Sequence, residues 1–117
     1  MAIRITGLVY PSGGVRASTI LLGKKAIFGY GLTGSQVSMT NLVANTGIVS
    51  TDTTGVGTAR RLLAAAGYGT DKAIFGYGYG VGYTSITNLV ANTGIVSSDT
   101  TGVGTARQAP AAASYGS

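Results

Sequence analysis

An internal repeat of 47 residues constrains this 117-residue chain more than any other feature of its sequence. Three segments recur without a gap: residues 25–31 (KAIFGYG) as 72–78, residues 40–50 (TNLVANTGIVS) as 87–97, and residues 52–60 (DTTGVGTAR) as 99–107. Repeats of about 40 to 50 residues are typical of propellers and solenoids, in which a unit cannot bury its own apolar face. We therefore divide the chain into residues 1–23, a first unit 24–70 and a second unit 71–117.

The residue types of the repeat favour strands over helices. The chain has 20 glycines, no glutamate and only 9% charged residues. Helix surfaces are usually built from Glu, Lys, Gln and Arg. Valine, isoleucine, threonine and tyrosine between Gly and Asn favour short strands and tight turns instead. The composition predicts an all-β fold.

Each unit is predicted to contain four short strands, which is the size of a propeller blade. In the second unit they cover about residues 60–68, 72–77, 85–91 and 95–98. Residues 92–94 (Asn-Thr-Gly) predict a hairpin turn with glycine in the left-handed position. Ile74 and Phe75 are adjacent and therefore point to opposite faces, as in a strand that is covered on both sides. A β-solenoid is the alternative, because glycine-rich repeats also build such coils.

The repeat motifs GTDKAIFGYG, TNLVANTGIVS and DTTGVGTAR resemble kelch-like tandem repeats of tailed-phage structural proteins. The resemblance covers roughly residues 24–117. The glycine pair of kelch units appears here as Gly-Tyr-Gly, and the tryptophan common in their fourth strand is missing, so the match to the phage-type repeat is the closer one. The resemblance implies kelch-like β-propeller blades and a non-enzymatic virion protein of the tail fibre, tail tip or head surface.

The number of units predicts self-association. Two blades cannot close a ring, and open strand edges must be covered. Ser117 aligns with Thr70, so the second unit ends in phase with the start of the first. Head-to-tail contacts that close by rotation give cyclic rings. We predict closure by homo-oligomerisation, with a homotrimer preferred and residues 107–115 donating a first strand to the neighbouring copy. Residues 1–23 are either a degenerate first strand or an arm that binds other virion proteins.

The residue inventory argues against catalysis. The chain has no histidine, no glutamate and no cysteine. General acid–base catalysis usually uses histidine or paired carboxylates, and a nucleophilic serine needs a base. We assign the aspartates, Asp52, Asp71 and Asp99, to turns, and one carboxylate per unit is too few for calcium. We predict no enzyme activity, no cofactor and no metal site.

The net charge of +5 comes from basic residues that are spread along the chain, and no basic run exceeds two. Nucleic-acid binding requires a denser basic stripe. No apolar segment approaches the roughly 18 residues of a membrane span. We therefore predict neither nucleic-acid binding nor membrane insertion.

The two units differ in two clusters. Residues 32–37 (LTGSQV) become 79–84 (YGVGYT), and 61–63 (RLL) become 108–110 (QAP). In an up-down-up-down blade these loops lie on one face, and the invariant turns lie on the opposite face. A varying face is expected of a recognition surface, although exposed loops also drift when nothing packs on them. The candidate binding residues are Leu32, Thr33, Ser35, Gln36, Arg61, Tyr79, Val81, Tyr83 and Gln108.

Two functions compete for this loop face. In the first, a phage particle presents it to a host or particle surface, where weak contacts of several copies add up. In the second, a lectin-like module binds glycans, such as those of a host surface, through Tyr79, Tyr83 and Gln36, because tyrosines suit interfaces and sugar sites. The repeat-equivalent tyrosines are predicted to pack between blades instead, and they are Tyr30, Tyr68, Tyr77 and Tyr115.

Overall fold

The computed structural model describes residues 24–116 in full and the backbone of residues 2–9 and 15–21. The described residues contain no helix and form strands in antiparallel pairs, which confirms the predicted all-β class. The strands are β1 Ala2–Val9, β2 Val15–Leu21, β3 Ala26–Leu32, β4 Gln36–Val43, β5 Ala64–Tyr68, β6 Lys72–Gly76 and β7 Thr87–Val90. No helix of the described chain is long and apolar enough to cross a membrane.

β1 and β2 form a two-stranded antiparallel sheet near the N-terminus. The pairing runs from Ala2 opposite Leu21 to Val9 opposite Val15. β2 covers most of the segment that was considered as a degenerate first strand, and its partner is β1 rather than β3. The attachment of residues 1–23 to other virion proteins stays a prediction.

The first unit is built on the hairpin of β3 and β4. Pairing runs from Ala26 opposite Val43 to Leu32 opposite Gln36, with a bulge around Tyr30. Tyr30 has a φ of 62°, which is uncommon for a residue with a side chain. Bulges re-aim side chains, and this tyrosine ring packs against the second unit.

The sheet of the second unit contains β5, β6 and β7 in that order. β5 pairs with β6 from Ala64 opposite Gly76 to Tyr68 opposite Lys72. β5 belongs to the last residues of the first unit and completes the sheet of the second. A first strand supplied from the end of the preceding unit is therefore part of this fold.

The prediction of four strands per unit is wrong in number. Within the described chain, the sheet of the first unit has two strands, β3 and β4, and the sheet of the second has three, β5 to β7. The fourth segment of each unit makes single bridges instead: Thr40–Thr53 and Val43–Val49 in the first unit, Thr87–Thr100 and Val90–Val96 in the second. Glycine, aspartate and turn residues in these segments have low strand propensity, so pairing stops after isolated bridges.

The apolar core lies between the two units. Its buried members are Tyr30 of the first unit and Phe75, Val90 and Val96 of the second. The rings of Tyr30 and Phe75 are 5.2 Å apart and tilted by 59°. Each unit thus buries its apolar face against the other, as the repeat predicts. The predicted packing role is confirmed for Tyr30, whereas Tyr115 is fully exposed.

Candidate functional site: the variable loops and the junction between units

Parts of the variable loops of the two units are in contact. The backbones of Arg61 and Tyr79 pair through two hydrogen bonds of 2.8 and 2.9 Å. The side-chain amide of Gln36 donates to the carbonyl of Gly80 at 3.2 Å. The location of all the variable segments on one face stays a prediction.

The invariant turns meet elsewhere. Asn92, in the Asn-Thr-Gly turn of the second unit, donates its side-chain amide to a carboxylate oxygen of Asp71 at 2.8 Å. Asp71 lies in the turn between β5 and β6, as expected. Two turns that are distant in the sequence are joined at this position. The location of the constant turns opposite the variable loops stays a prediction.

Tyr79 and Tyr83 form the centre of the loop face. Their ring centroids are 5.7 Å apart in an edge-to-face arrangement. The Arg61 guanidinium carbon lies 5.4 Å from the Tyr79 ring centroid, within the range of a cation–π contact. Tyr83 is 63% exposed and Val81 is fully exposed. This aromatic and cationic surface can stack against a sugar ring or an apolar partner.

The other candidates are exposed residues of the same variable segments. Leu32, Thr33 and Ser35 are exposed in and beside the β3–β4 hairpin turn, and Gln108 is exposed near the C-terminal end. The structure brings only part of the predicted set together, namely Gln36, Arg61, Tyr79 and Tyr83. Ligand binding by these four residues, or by the remaining candidates, stays a prediction.

Sequence reasoning missed a buried polar network between the units. Arg60 has 0% exposure. Its Nε donates to the carbonyl of Tyr77 at 2.8 Å and its Nη1 to that of Thr58 at 3.0 Å. Its Nη2 donates to Oδ1 of Asn88 at 2.6 Å, and its guanidinium lies 4.5 Å from the Tyr30 ring centroid. These acceptors and the ring face offset the cost of burying the charge.

Asp99 extends this network at the surface. Its Oδ1 accepts hydrogen bonds from the Thr58 backbone N–H at 3.1 Å and from Asn88 at 2.9 Å. Its Oδ2 accepts one from the Thr58 hydroxyl at 2.6 Å. We expected Asp99 to act within a turn, but its carboxylate accepts from Thr58 of the first unit and thereby ties the two units together. Burial alone raises the pKa of Asp99, but the hydrogen bonds from Thr58 and Asn88 and the charge of Arg60 outweigh burial and lower that pKa.

One sequence signal could have identified the network. Its arginine, asparagine and aspartate each recur in both units. Neither a strand nor a tight turn needs all three of these residue types at these positions. A buried arginine is rare without partners. The pairing itself spans from one unit to the next, so no local spacing reveals it.

No protein-family model matches the chain, and no curated protein matches it. Within the described residues no group of three or more His, Cys, Asp or Glu side chains could hold a metal ion. The loop face offers aromatic rings and a guanidinium, and the junction is held by hydrogen bonds.

Proposed function

We propose that this chain is a non-enzymatic structural or accessory protein of a phage virion, in the tail fibre, tail tip or head surface. Copies of the chain assemble, with a trimer preferred, into a kelch-like propeller. The assembled ring presents its variable loops to a host cell or to another part of the particle. Residues 1–23 attach the ring to other virion proteins.

The alignment of the variable loops carries this proposal. Gln36 of the first unit reaches the loop of the second at Gly80, and Arg61 pairs with Tyr79. Parts of the differing segments of both units are therefore in contact, and we name these parts the loop strip. In an assembly this strip is repeated in every copy, and several weak contacts then act together with an avidity well above the single affinity.

The position of β5 supports closure by strand donation. Residues 64–68 lie at the end of the first unit and pair with β6 of the second. Residues 111–115 have the equivalent position at the end of the second unit. They form no strand within the described chain and are exposed. In the proposed ring they pair with β3 of the next copy.

The lack of histidine, glutamate and cysteine supports the non-enzymatic part of the proposal, since the usual general bases and thiolate nucleophiles are missing from the sequence. The resemblance of the repeat motifs to phage structural proteins supports the virion part.

A test of this function combines detection and loop exchange. Immunodetection in purified virions should find the chain, and replacing residues 79–84 with LTGSQV should reduce attachment to host cells or to the particle. Thr93→Ala, in the constant turns, is the matched control and should leave attachment unchanged. If the host produces the chain and purified virions lack it, the virion proposal fails.

The exposed ring of Tyr83 favours one second candidate, a lectin-like glycan-binding module. Tyr83 lies against the half-buried Tyr79, which carries the Arg61 guanidinium, and such amphipathic rings are suited to sugar contacts. A glycan array probed with the intact protein should show saturable binding that Tyr83→Ala abolishes. Binding that survives Tyr83→Ala, or no binding at all, would rule this candidate out.

A further inference from the structure

The junction between the units has two complementary sides. We name the side contributed by the first unit the downstream face and the side contributed by the second unit the upstream face. Phe75 of the upstream face is only 4% exposed. It lies over Gly29 so closely that a Cβ at Gly29 would be 2.8 Å from the ring, and it packs beside Tyr30. The upstream face supplies an aromatic knob, and the downstream face supplies its socket.

The first unit has an upstream face of its own, and this face is uncovered. Phe28, the repeat equivalent of Phe75, is 64% exposed, and Val49 is 51% exposed. Asn41 already donates to Ser50 O at 3.1 Å and to Asp52 Oδ1 at 2.8 Å. The same two bonds hold Asn88 in the junction at 3.1 and 2.9 Å. The asparagine and the aspartate are therefore arranged before any partner arrives.

The second unit has an uncovered downstream face. The Arg107 Nη1 donates to Thr105 O at 3.0 Å, and its guanidinium lies 4.4 Å from the Tyr77 ring centroid. The equivalent values for Arg60 in the junction are 3.0 and 4.5 Å. Tyr77 is held by a hydrogen bond from its hydroxyl to Val103 O at 2.9 Å. Arg107 thus has the conformation of Arg60, and the asparagine and aspartate of a following unit are the missing partners.

The second unit also has a socket, which lies beside Arg107. A cavity of about 140 Å³ is lined by Ile74, Gly76, Tyr77, Arg107 and Pro110 together with Ala64, Thr87 and Ala111–Ala112. Gly76 is the repeat equivalent of Gly29, and a Cβ at Gly76 would meet only Thr87. The place that Phe75 fills in the junction is therefore open on the second unit.

We infer that the downstream face of one copy binds the upstream face of a second copy. Phe28 of the second copy enters the socket over Gly76 and beside Tyr77. Arg107 donates to the Asn41 side-chain oxygen, and the Asp52 carboxylate accepts from Thr105. This inference rests on the proposed assembly of copies and names the surfaces that perform it.

The chemistry of the two faces selects a second copy as the partner. One face carries a guanidinium and an apolar socket, and the other carries a carboxylate, an amide and an aromatic ring. The chain already joins these same groups once, between its own units. Because the two faces differ, the contact is head-to-tail, and its symmetry gives a ring when the rotation closes and a filament when it does not.

Two substitutions test the faces separately. Phe28→Gln disables the upstream face, and Arg107→Glu disables the downstream face. Both side chains are exposed, so the monomer should fold and melt like the wild type. Thr70→Asp, at an exposed position in the turn between β5 and β6, is the matched control. The oligomeric state and the association constant are measured by sedimentation over a range of concentrations.

We expect wild-type chains and Thr70→Asp to associate equally. Each face variant alone should associate at least about 30-fold more weakly, as for the loss of a central interface residue. An equal mixture of Phe28→Gln and Arg107→Glu should form a one-to-one complex, because each retains the face that the other has lost.

The outcomes separate this inference from the proposed function. If the wild type associates and neither substitution weakens it, or if the mixture forms no complex, the named faces are wrong and assembly by another surface stands. If the wild type is a monomer at every concentration, both the faces and the assembly fail, and detection in purified virions still tests the virion location independently.

Discussion

The filled junction and the two uncovered faces contain the same residues in different surroundings. Phe75 is 4% exposed and its equivalent Phe28 is 64% exposed. Arg60 is fully buried, whereas Arg107 is exposed. Because the side chains are identical, the difference in burial comes from the presence or absence of a neighbouring unit. The apolar and polar groups of one unit are stabilised by the next unit more than by their own sheet, as expected of a repeat protein.

The comparison also shows what does not depend on the neighbour. The arginine keeps its place over the tyrosine ring, at 4.5 Å in the junction and 4.4 Å on the uncovered face. Tyr30 and Tyr77 have almost the same φ, 62° and 63°. These conformations belong to the unit itself. A preformed face loses little conformational entropy on binding, which favours association.

The largest expected effect separates the two phenylalanines. Phe75→Ala should lower the free energy of unfolding by about 4 kcal/mol, because it leaves a cavity in the core between the units. Phe28→Ala should change it by no more than about 0.5 kcal/mol at concentrations where the chain is monomeric. Urea unfolding measures both. Equal effects would show that the junction is not the core of the fold.

The second effect separates the two arginines. Arg60→Leu should cost about 3 kcal/mol, since it leaves the carbonyl of Tyr77 and the Asn88 side chain without their buried donor. Arg107→Leu should be close to neutral in the monomer, because the same side chain is exposed there. The measurement is again urea unfolding, with the slope of the transition as a check that both variants expose similar surface. A large loss in Arg107→Leu would contradict the comparison.

A smaller effect separates two glycines at the base of the sockets. Gly29→Ala should cost about 1 to 3 kcal/mol by overpacking, because the new methyl group meets the Phe75 ring. Gly76→Ala meets only Thr87 within its own unit, so the monomer should be less affected. The readouts are the melting temperature and the association constant. By our inference Gly76→Ala should weaken association, and an unchanged association constant would count against the socket.

The sequence alone predicts much of this fold, and the repeat explains why. Because the units share long identical segments, one set of strands and turns predicts both, and the hairpin turn at 92–94 and strand β6 follow from local residue types. The predicted fourth strand is absent from the described units. Alternation and β-branched residues at 95–98 favour a strand, but the glycine-rich segment that follows them supports only single bridges. The sequence does not decide whether part of residues 1–23 supplies the first strand of the first unit. In the structure, β2 pairs with β1 instead.

The candidate site was predictable only where the two units differ. Comparing the units locates the loop strip at Arg61 and Tyr79, and the structure confirms that these residues are neighbours. The junction consists of residues that are identical in the two units, so a search for differences between the units does not locate it. Its contacts also connect residues of different units, such as Arg60 with Asn88. Local spacing carries no information about such long-range pairs.

The smallest expected effect concerns the carboxylate at the edge of the junction. The pKa of Asp99 is lowered in the folded chain because hydrogen bonds from Thr58 and Asn88 outweigh burial. A lowered pKa adds stability that is present above the unfolded value of about 3.9 and is lost as the pH falls through the folded value. The melting temperature should therefore decline below about pH 4. Thr58→Val, which removes one of these donors, should flatten the decline. Thr105→Val is the control, because its hydroxyl has no carboxylate partner in the described part of the chain. If Thr58→Val leaves the decline in melting temperature unchanged, Asp99 does not couple the units.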